Sequence, residues 1–94
     1  MTYSLFYTKI SQKEWKKLDK SICEQFKKKL KERVSIPRIS KDKLSGYENL
    51  YKIKLRSSGF RLVYEVKDEQ IIILVLSVGK RENSKVYANL DDRL

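Results

Sequence analysis

The sequence predicts an α+β fold: an antiparallel-rich sheet of about four strands, packed by an N-terminal helical pair, with a short C-terminal helix. Three observations predict it. Trp15, Leu18, Ile22, Phe26, Leu30 and Val34 recur at helical spacing. From Leu50 the period becomes two, with Tyr51, Ile53 and Leu55 alternating with Lys52, Lys54 and Arg56. The stretch QIIILVLSV at 70–78 is nearly continuous in apolar residues, as in a strand buried on both faces.

Each element has its own signal. Residues Thr2 to Thr8 (TYSLFYT) are aromatic and β-branched and read as a first strand. Ser11-Gln-Lys-Glu14 fits a capping box, in which the serine hydroxyl takes a free backbone N–H and the glutamate reaches back. Ser21-Ile-Cys-Glu24 repeats that signature. Two helices are therefore expected near 12–19 and 21–35, broken around Asp19-Lys20, with one continuous helix as the alternative. Pro37 closes the second. Ser57-Ser58-Gly59 and Asp68-Glu69 are turn signals that separate strands from Leu50, at 60–66 and at 70–78, with Gly79 ending the last. Val86 to Leu94 reads as a short terminal helix.

The length of 94 residues allows one domain, spanning 1–94. One cysteine forms no internal disulfide, and Cys23 reads as a small residue at the edge of the apolar stripe. The chain has no histidine, which removes the commonest general base and the commonest metal ligand. Its acids are scattered, without a D-x-D or E-x-x-D cluster, so neither a metal nor another cofactor is expected. The start, MTYSLFYTK, lacks a basic n-region and a long apolar h-region. The longest apolar run, Ile71 to Leu76, is far short of the roughly 20 residues of a membrane span. A cytoplasmic protein without a membrane partner is the expectation. The net charge of +10 attracts polyanions.

The lysines of the helical region, Lys13, Lys16, Lys17, Lys20, Lys27, Lys28, Lys29 and Lys31, lie mostly off the apolar stripe. They fit a solvated helical face first, and the functional alternative is a docking surface for RNA or an acidic partner. The sheet offers a second basic surface. Lys52 and Lys54 are two apart and project on one side, and the turn at 57–59 folds Arg61 back toward them. The long apolar strand delivers Gly79-Lys80-Arg81 at its end, and Tyr87 follows. A merely solvated basic face has the same pattern. The functional alternative is a phosphodiester site, where cations stabilise the extra charge of a pentacoordinate phosphate and an aromatic stacks on an unpaired base. Without histidine or metal the natural substrate is RNA, whose 2′-hydroxyl is an internal nucleophile. A lysine among cations has its pKa lowered and can serve as base. Arginine is a poor proton donor and suits charge stabilisation.

These residues resemble a known family. YKIKLRSSGFRLVYEV at 51–66 and SVGKRENSKVY at 77–87 are similar to the RelE toxins of bacterial toxin–antitoxin systems, in the RelE/ParE superfamily. The resemblance extends to KEWKKL at 13–18, EQFKKKL at 24–30, Pro37-Arg38-Ile39 and Lys43-Leu44-x-Gly46. It implies the small RelE/ParE-type fold and an endoribonuclease that cuts mRNA in the A site of the 70S ribosome by 2′-hydroxyl attack. Carried over by position, Lys54 is the base with Lys52 in support, and Arg61 stabilises the transition state. Arg81 assists the leaving group, by charge or through water, and Tyr87 orients the substrate base. Lys13, Lys16, Lys17, Lys20, Lys27, Lys28, Lys31, Arg56 and Lys80 make up the expected RNA- and ribosome-contacting set. The family also implies an acidic RelB-like antitoxin, through which alone operator DNA is bound. Two alternatives stand beside this reading: a ParE-like inhibitor of gyrase, and a non-catalytic RNA-binding module.

Overall fold

A computed structural model describes residues 2–80. The expected terminal helix at 86–94 lies outside them. The order is β1 (Ser4–Tyr7), α1 (Lys9–Lys16), α2 (Lys20–Arg33), a single 3-10 turn (Ser40–Asp42), β2 (Leu50–Leu55), β3 (Phe60–Lys67) and β4 (Ile72–Lys80). The four strands form one sheet in the order β1-β4-β3-β2. Neighbours β2–β3 and β3–β4 are antiparallel, while β1 lies parallel to β4. The sheet is thus mixed, with its antiparallel share in the majority, and the helical pair covers one face.

Two helices form, as expected, but their starts differ from the expected caps. Thr8 caps α1: its hydroxyl oxygen accepts the Ser11 N–H at 3.0 Å, and Ser11 Oγ donates to the Thr8 carbonyl at 3.0 Å. Ser11, expected to be the cap, is instead buried inside the helix, one turn beyond Thr8. The strand delivers Thr8 in the extended geometry a cap needs, and its hydroxyl is a competent cap, so the helix starts where the strand stops. Asp19, extended and without a side-chain bond, precedes α2, and Ser21 sits inside the first turn. Residues 17–19 break the two helices, and α2 ends at Arg33, ahead of Pro37.

The helical stripe closes the core. Ile22, Phe26 and Leu30 are buried against Ile53, Leu55, Leu62, Tyr64, Val66, Ile73 and Val75 of the sheet, with Trp15, Leu18 and Val34 half-buried at the margin. Trp15 bridges the layers, 5.4 Å from the Tyr7 ring and 6.1 Å from Phe26. Burying a side chain such as Phe26 stabilises the fold by about 1.5–3 kcal/mol. Cys23 is half-buried and unpaired beside this stripe.

Strand β4 occupies the interior of the sheet, with Ile73, Val75, Leu76, Ser77 and Val78 buried. It begins two residues later than the apolar run suggests. Ile71 has φ 54° and belongs to the turn from Asp68, a left-handed conformation that a β-branched residue rarely adopts. Gly79 does not end the strand: it pairs with Arg61, and Lys80 pairs with Phe60. A register shift between Val63 and Tyr64 places Val75 and Ser77 opposite adjacent residues, leaving Leu76 as the extra residue of a bulge.

Candidate active site

Strand alternation sorts the sheet residues. Tyr51, Ile53 and Leu55 of β2 face the helices, as do Leu62, Tyr64 and Val66 of β3. The far face carries Leu50, Lys52 and Lys54 of β2 and Arg61 and Val63 of β3. One end of that face is a second small core, where Leu50, Val63 and Leu76 are buried under Leu44 and Tyr47. The other end is cationic. Lys54 stands directly opposite Arg61, and Lys52 is one pleat away opposite Val63. Gly79 continues the Lys54–Arg61 row into β4, so no side chain from that position crowds it.

Three expected catalytic residues, Lys52, Lys54 and Arg61, therefore share one face and adjacent rungs. Arg81 and Tyr87 lie outside the described residues. The Lys54 ammonium is pushed below the ordinary lysine pKa, first by the charge of Lys52, then by partial desolvation and by Arg61. Asp42 acts on it in the opposite direction. Arg56 is exposed and shares two grooves with Lys54. One, about 550 Å³, runs between α2, the 3-10 turn and β2; the other, about 290 Å³, lies over the 55–61 turn.

The remaining lysines sit elsewhere. Lys80 pairs with Phe60, and its Nζ lies 5.6 Å from that ring centroid, on the helix side of the sheet. It is thus apart from the Lys52–Lys54–Arg61 row toward which the sequence directed it. Lys13, Lys16, Lys17, Lys20, Lys27, Lys28 and Lys31 are all exposed along or beside the two helices. Among the described residues, no group of three or more His, Cys, Asp and Glu is placed to hold a metal ion. No helix among them is long and apolar enough to cross a membrane.

Sequence reading missed two residues beside the row. Arg33 at the end of α2 donates to Tyr64 Oη at 2.8 Å, to the Lys52 carbonyl at 3.3 Å and to Asp42 Oδ2 at 2.6 Å. Tyr64 Oη in turn donates to the Pro37 carbonyl at 2.6 Å. The available signal was position: Arg33 follows Leu30 by three, on the buried side of α2. Asp42 gave no periodic signal, because it lies on a single 3-10 turn.

Comparison with known proteins agrees with this architecture. A family model described as "ParE toxin of type II toxin-antitoxin system, parDE" matches residues 5–84. The chain is 51% identical to "mRNA interferase toxin RelE" of Escherichia coli strain K12, over all of this chain and 99% of that one. An arginine-to-alanine double variant of E. coli toxin RelE in the free state superposes with a TM-score of 0.92 at 50% identity, covering 100% of this chain and 99% of the other. A chain of the intact E. coli RelBE toxin–antitoxin complex superposes with a TM-score of 0.81 at 52% identity, over 83% of this chain and 95% of that one. A basic α+β chain with this strand order, matched over its full length by RelE, belongs to the RelE toxins of the ParE-type family of type II toxin–antitoxin systems.

Proposed function

We propose that this protein is an mRNA endoribonuclease that cleaves in the ribosomal A site and so inhibits translation. The observation that carries the reading is the register of Lys54 against Arg61, with Lys52 on the same face, in a chain matched end to end by a protein named an mRNA interferase. Lys54 takes the proton of the 2′-hydroxyl, helped by neighbours that favour its neutral form. Lys52 and Arg61 stabilise the charge that builds on the phosphate. Arg81 assists departure of the 5′-oxygen, and Tyr87 stacks on the base. The product ends are a 2′,3′-cyclic phosphate and a 5′-hydroxyl. A diffuse cationic site with no strong base gains most from a substrate already held in attack geometry, which a programmed ribosome supplies.

The lysines on α1 and α2, with Arg56 and Lys80, supply contacts to ribosomal RNA. The site of action is the cytoplasm. The partner that silences the toxin is an acidic RelB-like antitoxin, and operator DNA is reached through that complex. Support for the partner comes from the RelBE complex whose toxin chain this one resembles.

The test is cleavage of a defined mRNA with and without ribosomes whose A site is empty. Cuts confined to the A-site codon, and dependent on ribosomes, are expected. Cutting of free RNA at the same rate removes the A-site mechanism. Because the matching family model bears the ParE name, a gyrase supercoiling assay belongs beside it. Inhibition of gyrase with intact mRNA overturns the nuclease reading.

A further inference from the structure

Arg33 and Asp42 form an ion pair at 2.6 Å whose side chains are only 14% and 17% exposed. Enclosing two charges costs desolvation, and stability alone is weak grounds for such a pair. Its surroundings give a second reason. Arg33 reaches past Asp42 to the backbone carbonyl of Lys52 and to Tyr64 Oη, so one guanidinium ties the end of α2 to the strands that carry the cationic row. Asp42 is fixed by its own segment: Leu44 N–H donates to the Leu50 carbonyl at 2.9 Å, and Lys43 bridges to Tyr51. The 3-10 turn is thereby held along β2. Arg33, Asp42 and Lys54 line one groove.

The charges that meet Lys54 can be read element by element. Lys52 faces it from its own strand and Arg61 from β3. Arg56 shares its groove from the end of β2. Lys29, Glu32 and Arg33 line that groove from α2, and Lys41 and Asp42 line it from the 3-10 turn. Asp42 is the carboxylate whose charge acts on Lys54 against Lys52 and Arg61.

We propose that the Arg33–Asp42 pair is a positioning element for this site: Arg33 pins the Lys52 backbone, and Asp42 keeps a counter-charge beside Lys54. The functional half rests on the reading of Lys54 as the base. The pair limits how far the like charges of the row splay the two lysines apart. It also moderates the loss of proton affinity at Lys54.

Two measurements test it. The first is a 13C NMR titration of the lysine Cε signals in the isolated protein, for wild type and Asp42→Asn. The second is a pH–rate profile of single-turnover cleavage on programmed ribosomes for the same pair, with Lys54→Ala as control. Asp42→Asn keeps the shape and a hydrogen bond but removes the charge. The expected result is a lower midpoint for Lys54 and a rising limb moved to lower pH with it, a gain of roughly threefold on that limb, the size of one solvent-screened charge. Midpoint and limb both unmoved overturn the inference. Lys54→Ala that cleaves like wild type overturns the base reading instead, and the NMR midpoint does not depend on that reading. Arg33→Lys covers the case of an unstable Asp42→Asn. It keeps the charge but cannot reach three acceptors at once, so cleavage should fall severalfold with the pH profile in place. Wild-type cleavage by Arg33→Lys overturns the positioning role.

Discussion

Lys54 and Arg61 face one another across the β2–β3 ladder, two cations in direct cross-strand register. Like charges at that spacing destabilise a sheet. With Lys52 on the same face, the arrangement trades stability for a concentration of positive charge. Lys54→Met should therefore abolish most activity, by about 10²–10⁴-fold for a lost proton-transfer group, while the melting temperature holds or rises. Arg61→Gln should behave alike. Cleavage assays and thermal melts on the same preparations check this; a variant that loses activity only by losing its fold contradicts it.

Acid stability is predicted to depend on the opposite end of β3, at the turn into β4. Tyr3 Oη donates to Asp68 Oδ1 and Arg38 donates to Oδ2, both at 2.6 Å. The Tyr3 hydrogen bond first, and then Arg38, hold the Asp68 carboxyl below its ordinary value of 3.8. The folded state then binds a proton less readily than the unfolded chain. The stabilisation is complete above that ordinary value and is lost as pH falls through the lower, folded value. Melting temperature measured against pH should drop in that window for wild type. Asp68→Asn should start lower at neutral pH and show a shallower drop.

Glu14 is predicted to guard the end of β4. Strand β1 stops at Tyr7, and just past it Thr8 N–H donates to the Val75 carbonyl at 3.2 Å. Beyond it the Val78 N–H donates to Glu14 Oε1 at 3.2 Å, so a side chain from α1 substitutes for the missing strand. Glu14→Ala should speed amide exchange at Val78 about tenfold while leaving Ile73 protected. Cleavage should fall as well, because β4 carries the chain toward Arg81.

Tyr64 is predicted to matter through its hydroxyl. It is fully buried, donates to the Pro37 carbonyl and accepts from Arg33. Burial raises its pKa, and Arg33 opposes that rise. Tyr64→Phe removes both bonds without changing the packing volume much. The expected loss is about 1–3 kcal/mol in denaturant unfolding, with the 37–42 segment loosened and cleavage reduced.

The parts of this molecule that obey a period were legible in the sequence. The stripe from Trp15 to Val34 and the alternation from Tyr51 to Arg56 located the helical pair and β2, and the same alternation put Lys52 and Lys54 on one face. What periodicity does not encode was missed. Thr8 outcompetes Ser11 as a cap because the preceding strand delivers it in extended geometry. Ile71 reads as strand by composition, yet closing the β3–β4 turn forces it to positive φ. Lys80 was grouped with the cations because it follows the strand end expected at Gly79; the strand instead runs through it, and the one-residue bulge at Leu76 turns it to the helix side. Arg33 and Asp42 are nine apart in sequence, and only the fold makes them a pair.

In the proposed mechanism the cationic row cuts RNA by recruiting the RNA's own 2′-hydroxyl. The most direct test is a programmed ribosome carrying mRNA with a single 2′-deoxy substitution at the nucleotide preceding the scissile phosphate. This mRNA should stay intact under conditions where the all-ribose message is cut to completion, and the all-ribose product should end in a 2′,3′-cyclic phosphate. Cleavage of the substituted message at the normal rate would contradict it.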